Sequence, residues 1–281
     1  TSPDRGLIRI PVFLGDSLQW RQKNPSLFTA SSFIVEADDK RELDVTKFEF
    51  PTSVLDDIQA FDDLLAEFAE RARTQKPGTK TTPMPTSVLK RIPLSPGSES
   101  MLSATFQTMC RLHREQRDHI WSYYIRNLAR PEWLARNGNR VDVLVGNPPW
   151  LAYRYMPTPT AEGDPNMQAD FKAMSEERGL WQGENVATHQ DLAGLFVARA
   201  IELYLRRGGR FGFVMQSAVL DRQQYRGFRT GSYLQEGAEV RVAFTPAWDL
   251  RKLRPHFFPI TACVVFGRRC DSSHATVPLP K

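Results

Sequence analysis

The residues best suited to carry chemistry lie in a short loop near the middle of the chain. Residues 141–145 have few polar side chains and no helical period, so they predict a buried strand, which ends at a glycine. Asn147, Pro148, Pro149 and Trp150 follow directly. Because proline fixes φ and lacks an N–H group, this loop is expected to be stiff. Its acceptor oxygens, on Asn147 and Pro148, lie beside a flat ring, which suits a planar substrate with an exocyclic amine.

A sheet must hold this loop, and the rest of the sequence indicates one. In an open α/β sheet, ligands bind beyond the carboxyl ends of the strands, which is where the loop would lie. The alternation of helical and buried extended segments indicates an α/β domain. Strands are predicted at residues 7–14, 141–145, 210–215, 240–244 and 261–266, a hairpin at residues 32–36 and 45–50, and helices at residues 53–73, 99–129, 167–177 and 188–205.

Single residues predict several element boundaries. Pro131 is expected to stop the long second helix. Thr188 is expected to cap the last helix, with Asp191 in its first turn, and Gly208 and Gly209 are expected to end it. The segment between the Asn-Pro-Pro-Trp loop and this helix is expected to be either a substrate-contacting arm or a segment that is disordered without substrate.

Asn-Pro-Pro-Trp after a hydrophobic strand resembles the fourth motif of the N6-adenine DNA methyltransferases. Other segments resemble further motifs of this family, in the family's order, and the likeness covers most of the chain. It is strongest to the large methylases of restriction-modification and phage-defence systems. The segments are a strand with Gly-Asp at residues 10–18, a helix from residue 191, a strand and its exit loop at residues 210–220, and a Phe-Pro-containing strand at residues 257–266.

This resemblance implies a fold, a cofactor and a partner. The fold would be part of the Rossmann-like α/β sheet of class I S-adenosylmethionine-dependent methyltransferases, with a mostly helical insertion. The reaction would transfer a methyl group from S-adenosyl-L-methionine to the exocyclic amine of an adenine flipped out of double-stranded DNA. Nuclease or specificity domains or subunits are the further partners that it implies, in the cytoplasm of a bacterium or archaeon.

The resemblance also implies a role for each site residue. The Asn147 side-chain oxygen and the Pro148 carbonyl would accept the two hydrogens of the adenine amine, with Pro149 completing the rigid loop. Trp150 would stack on the base. The other predicted site residues are Phe258 on the second face of the base, Gln216 and Ser217 at the border of its pocket, and Asp16 at the amino group of the cofactor's adenine.

One feature of the family is missing from the sequence. The glycine-rich first motif that binds S-adenosylmethionine does not occur, since Pro96-Gly97-Ser98 is not preceded by a strand. We therefore expect the chain to be a catalytic-domain fragment that is inactive alone. The expected divisions are methyltransferase core at residues 1–30 and 138–270, the insertion at residues 31–137 with an exposed Pro-rich linker near residues 75–97, and the start of a further linker at residues 271–281.

Bulk properties fit this reading without deciding it. The 281-residue chain has a formal net charge of +5, which favours an anionic partner only mildly. Its 3 cysteines and 5 histidines show no metal-ligand spacing, so no metal is predicted. Two alternatives stay open. One is a methyltransferase acting on glutamine N5 of release factors or guanine N2 of ribosomal RNA, and the other is a non-catalytic module that binds DNA.

Overall fold

The chain forms two compact units, Thr1–Trp133 and Leu134–Lys281. The computed structural model describes residues 15, 17–18, 28–29, 32–37, 46–76, 81–87, 90, 92, 94–117, 120–160, 166–235, 238–255, 258–271 and 274–280. Within these ranges no helix is long and apolar enough to cross a membrane. The predicted strand at residues 7–14 and the predicted cofactor ligand Asp16 lie outside the described residues. The assignment of residues 1–30 to the methyltransferase core stays a prediction.

The first unit contains a small antiparallel sheet. Its strands, in spatial order, are β1 (Phe28–Thr29), β2 (Ser32–Ala37) and β3 (Thr46–Pro51). Phe33 lies opposite Phe50, and Val35 lies opposite Phe48. Because side chains alternate between the two faces of a sheet, these four side chains share one face, and all are buried. The predicted hairpin is confirmed.

Two helices, α1 (Ile58–Arg73) and α2 (Ser98–Arg114), build the core of this unit together with the sheet. α1 begins later than predicted because residues 52–55 form a separate 3-10 turn. Asp57 caps the helix, and its Oδ1 accepts a hydrogen bond from the Ala60 amide at 2.9 Å. The apolar side chains of this segment supply much of that core, and the fully buried ones are Leu55, Phe61, Leu64, Leu65 and Phe68.

The predicted long helix at residues 99–129 is instead two helices, α2 and α3 (Trp121–Ala135). Gln116 has a φ of 57°, the Arg117 amide donates to the Leu112 carbonyl, and the Gln116 amide donates to the His113 carbonyl. This is the Schellman pattern that ends many helices. Pro131 lies inside α3 and does not stop it. The predictions of one continuous helix and of a stop at Pro131 are therefore both wrong.

The second unit carries a five-stranded sheet. Its strands are β4 (Val141–Gly146), β5 (Leu205–Gln216), β6 (Ser232–Gln235), β7 (Ala238–Asp249) and β8 (Ala262–Arg269), in the order β4-β5-β8-β7-β6. β4 and β5 are parallel and the other neighbours are antiparallel. The helices are α4 (Met167–Glu177), α5 (Leu192–Tyr204) and the short α6 (Arg226–Arg229). The predicted α/β class is confirmed.

β4 is a strand, as predicted, but it is not buried. It lies at the edge of the sheet, and the side chains of Val143 and Val145 are 61% and 74% exposed. An apolar segment rich in β-branched residues indicates a strand, but whether that strand is buried depends on what packs against it. In the described part of the chain, β4 pairs with β5 on one side only.

The glycine pair before β5 also differs from its prediction. Gly208 and Gly209 do not end α5; they lie inside β5, which begins at Leu205 directly after the helix. The pairing with β4 is irregular here, since it moves from Val141 opposite Leu205 to Val143 opposite Arg210. Gly208 has a φ of 77°, a conformation that disfavours other residues, so the glycines form a bulge rather than a helix cap.

Candidate active site

The Asn-Pro-Pro-Trp loop begins where β4 ends, as predicted. The last residue of the strand, Gly146, lies opposite Phe213 of β5. A Cβ atom at this glycine would lie 3.0 Å from the buried Phe213 ring, which is closer than normal carbon contacts. The absence of a side chain therefore allows β4 and β5 to pack closely just before the loop.

The four loop residues differ in their environment. Asn147 and Pro149 are exposed, Pro148 is buried, and Trp150 is half-buried. The Asn147 side chain has no hydrogen-bond partner among the described residues, so its oxygen is available to a ligand. The indole Nε1 of Trp150 is buried and also lacks a partner within the described ranges. Two polar groups at the carboxyl end of β4 thus have no partner among the described residues.

The two aromatic residues predicted to stack on a base lie next to each other. The ring centroids of Trp150 and Phe258 are 5.5 Å apart, and the ring planes are inclined by 46°. A base held between two parallel rings needs a separation of about 7 Å, two carbon contact distances. In this conformation the rings contact each other, so a base can lie between them only after one ring moves away.

The predicted pocket residues at the end of β5 have different environments. Ser217 is buried, its hydroxyl donates to Thr261 Oγ1 at 2.6 Å, and its amide donates to the Thr261 carbonyl at 2.9 Å. These bonds join the exit of β5 to the segment that enters β8. Gln216 is half-buried. Ser217 therefore links the end of β5 to the segment before β8. The fourth predicted position, Asp16, lies outside the described residues.

The structure identifies a further buried pair near this site. Asp191, predicted to lie in the first turn of α5, is its N-cap, and Thr188 belongs to a preceding 3-10 turn. The hydroxyl of Tyr225 donates to Asp191 Oδ2. Burial raises the pKa of the Asp191 carboxyl from 3.8 to about 6, although hydrogen bonds from Tyr225, Ala193 and Gly194 oppose this shift.

The segment after the loop is a packed arm, which we define as residues 151–183. It contains α4, whose Phe171 is buried. Arg178, just after α4, donates from Nε to Glu202 Oε2 of α5 at 2.9 Å. Arg199 pairs with the same carboxylate, and all three side chains are buried. In its described part the arm is therefore folded against α5 rather than disordered, and contact with substrate stays a prediction.

A comparison with known protein families identifies the family of this chain. The family model described as Eco57I restriction-modification methylase matches residues 95–242, more than half of the chain. The chain belongs to this family. The matched part of the methylase chain includes the Asn-Pro-Pro-Trp loop, α5 and β5, but neither Asp16 nor Phe258. No curated protein matches the chain.

Two solved structures are similar to part of this methylase chain. The ATP-dependent Type ISP restriction-modification enzyme LlaBIII bound to DNA is 15% identical over 57% of this chain and 11% of that chain, with a TM-score of 0.36. A nuclease-deletion mutant of the Type ISP enzyme LlaGI, in complex with a DNA substrate mimic, is 14% identical over 63% of this chain and 18% of that chain, with a TM-score of 0.33. The chain matches less than a fifth of either enzyme.

Proposed function

We propose that this methylase chain is the base-binding and catalytic part of a DNA adenine N6-methyltransferase that acts in restriction-modification or phage defence. The observation that carries the proposal is the exposed Asn147 side chain, which has no partner within the described ranges and lies in the same short loop as Trp150, the ring in contact with Phe258. The partner that this proposal requires is double-stranded DNA, from which the target base must be extruded.

The loop residues fit the chemical problem of methylating an adenine amine. The lone pair of this nitrogen is delocalised into the ring, which makes the amine a poor nucleophile. If the Asn147 oxygen and the Pro148 carbonyl accept its two hydrogens, the nitrogen becomes pyramidal and its lone pair is localised. Positive charge that develops on the nitrogen is then stabilised by two fixed acceptors. No general base of unusual pKa is needed, because the methylated amine loses a proton readily.

The aromatic residues fit the base itself. Trp150 offers a ring face, and Phe258 would cover the opposite face after the two rings separate. Gln216 would border the pocket from the end of β5.

The methyl donor that a methylase family implies is S-adenosyl-L-methionine, which supplies the electrophilic methyl group. The described residues do not form a cradle for it: the sequence has no glycine-rich turn after a strand, and Asp16 lies outside the described ranges. They fit the base side of the reaction only. We propose that the donor-binding part packs against the open edge of β4, where Val143 and Val145 are exposed beside the loop.

The test is transfer of labelled methyl groups from S-adenosyl-L-methionine to unmethylated DNA by the full-length protein. Asn147→Ala should lower the rate by about 10²–10³-fold, the usual effect of removing one preorganised polar group. DNA binding should change little. Asn137→Ala, which removes an exposed amide just before β4, is the matched control and should keep the wild-type rate.

The alternatives give different outcomes in the same assay. Label in RNA or in protein, with none in DNA, would assign the site to a guanine-N2 or glutamine-N5 methyltransferase, which need the same acceptors. Label in none of the three, together with DNA binding, would assign the chain to a non-catalytic binding module. Either result would overturn the proposal.

A further inference from the structure

The backbone that leaves the candidate catalytic loop is paired on both sides of one buried carboxylate. The Leu192 amide donates to the Leu151 carbonyl oxygen at 2.9 Å, and the Tyr153 amide donates to the Gln190 carbonyl oxygen at 2.8 Å. These two bonds flank Asp191. The position of residues 151–153, directly after Trp150, therefore depends on the position of the backbone around Asp191.

The Asp191 side chain is fixed from two directions. Its Oδ1 accepts a hydrogen bond from the Ala193 amide at 3.0 Å, which caps α5, and its Oδ2 accepts a hydrogen bond from the Tyr225 hydroxyl. Tyr225 belongs to the turn that follows the exit of β5. One buried hydrogen bond thus connects the segment after β5 to the segment after β4, the two strands whose ends border the base pocket.

Tyr225 is itself tightly placed. The nearest ring atoms of Tyr225 would lie 3.6 Å from a Cβ at Gly194 of α5, so the ring packs directly on this helix. Two residues on, a Cβ at Gly227 would lie 2.2 Å from the Gly179 carbonyl oxygen of the arm. The phenol is buried between α5 and the arm. A side chain held in this way keeps its hydroxyl at a defined position beside Asp191.

We propose that Asp191 and Tyr225 are positioning residues, whose hydrogen bond holds the Asn-Pro-Pro-Trp loop in register with the exit of β5 during methyl transfer. This inference rests on the proposed function. Neither side chain is assigned contact with the base or the methyl donor; they act through the backbone of residues 151–153. Since a displacement of about 1 Å can lower an enzymatic rate by the order of 10²-fold, a small shift of the loop is sufficient for a large effect.

If Tyr225 had only a structural role, removing its hydroxyl would have the same effect as removing any other buried hydrogen bond. The chain offers a matched residue for this comparison. Tyr233 is also fully buried, and its hydroxyl donates to the Phe228 carbonyl at 3.0 Å. Tyr233→Phe and Tyr225→Phe each remove one buried phenol hydrogen bond and keep the ring. Of these two phenols, only Tyr225 is bonded to Asp191, which pairs with Ala152 just after the candidate catalytic loop.

The experiment measures kcat, the KM for DNA, the KM for S-adenosyl-L-methionine and the melting temperature of full-length wild type, Tyr225→Phe and Tyr233→Phe. For Tyr225→Phe we expect kcat to fall by about 10–100-fold with both KM values within about threefold of wild type. For Tyr233→Phe we expect kcat within about twofold of wild type, with a similar loss of melting temperature. Equal kcat in the two variants would overturn the inference.

Asp191→Asn is the second variant, in case Tyr225→Phe does not fold. It keeps the size of the side chain and an oxygen for the α5 cap, but it weakens the bond to Tyr225. We expect the same selective fall in kcat, and we expect the double variant to be no slower than the slower single variant. Multiplicative effects would contradict the inference. If wild type transfers no methyl group, the proposed function fails, and this is distinguishable from failure of the positioning role.

Discussion

Asn147 and Trp150 divide the candidate site between one polar and one apolar task. The amide oxygen of Asn147 is exposed and unpartnered within the described ranges, so it loses no protein hydrogen bond when an amine binds. Trp150 is half-buried and already in contact with Phe258. In the proposed function, the amide would set which group is methylated, while the rings would set how firmly a base is held.

Trp150→Ala should weaken binding of DNA whose target adenine is flipped out. Stacking of a base on an aromatic ring is worth roughly 1–3 kcal/mol, so we expect the Kd to rise by about 5–150-fold. Titration of the full-length protein with a duplex that carries 2-aminopurine at the target adenine measures both binding and flipping. Trp248→Ala is the control, since Trp248 is an exposed ring packed on Phe266 of the sheet. Equal effects of both changes would contradict a stacking role for Trp150.

At the scale of single residues, the resemblance predicted that Trp150 and Phe258 lie on opposite faces of one base. The structure brings their rings together although they are distant in sequence. It could not predict what Ser217 does, because its bond to Thr261 depends on how β5 and β8 pair. The Asp191–Tyr225 bond was missed for the same reason. An acidic residue before an apolar helix indicates an N-cap. No pattern in the sequence indicates which hydroxyl donates a hydrogen bond to that acid.

Among the elements, β4 and β5 depend on close packing at Gly146. Gly146→Ala would place a Cβ 3.0 Å from the buried ring of Phe213, and we expect overpacking to cost about 1–3 kcal/mol of unfolding free energy. Urea denaturation measures this cost. Gly138→Ala, where a Cβ would meet nothing within 4 Å, should leave stability nearly unchanged. A Gly146→Ala variant as stable as Gly138→Ala would mean that the two strands are not tightly fitted.

The start of α5 should make stability depend on pH. The pKa of Asp191 is raised by burial from 3.8 to about 6, so the folded state binds this proton more tightly than the unfolded state does. The stabilising contribution is fully present below pH 3.8 and is lost as the pH rises through about 6. The loss is about 3 kcal/mol, since one pKa unit corresponds to about 1.4 kcal/mol.

Asp191→Asn cannot ionise, so its unfolding free energy should lack this decrease. Urea denaturation of wild type and variant at several pH values between 4 and 7 gives the two slopes, whatever the absolute stability of each. Parallel slopes would show that Asp191 titrates normally in the folded protein.

Helix and strand periodicity predicted most elements but not all of their ends. The apolar spacing located α1, α5, β5 and β8 because burial of apolar residues dominates their energetics. Gln116 ends α2 in a left-handed conformation usually taken by glycine, so the sequence carries no stop signal there. Pro131 removes one backbone N–H donor inside α3, yet the helix continues to Ala135, so proline is not the stop signal that the sequence indicates.

At the scale of the whole molecule, β4 pairs with β5 alone among the described residues, and its Val143 and Val145 side chains are exposed. If the donor-binding part packs there, Val145→Lys in the full-length protein should weaken S-adenosyl-L-methionine binding by at least about tenfold, because a charge would enter an apolar interface. Leu234→Lys introduces the same charge at an exposed apolar residue of β6, the opposite edge of the sheet, and should have no effect. Calorimetric titration measures both, and equal affinities would place the donor elsewhere.

The sequence predicted the α/β class and the family, and it placed the end of the helical insertion at residue 137, a division that stays a prediction. The boundary between the two units falls at residue 133, within α3, and no change of composition marks it. Apolar periodicity reports that a segment is covered, not which part of the molecule covers it. That limit explains the wrong prediction of a buried β4.

The ion pairs that join the arm to α5 have a practical consequence for purification. Arg178, Arg199 and Glu202 are buried, so dissolved ions cannot reach them and high ionic strength should not loosen the arm. Contacts between a protein and DNA phosphates, in contrast, weaken steeply as salt is added. A concentrated salt wash should therefore remove co-purifying nucleic acid while leaving the arm in place.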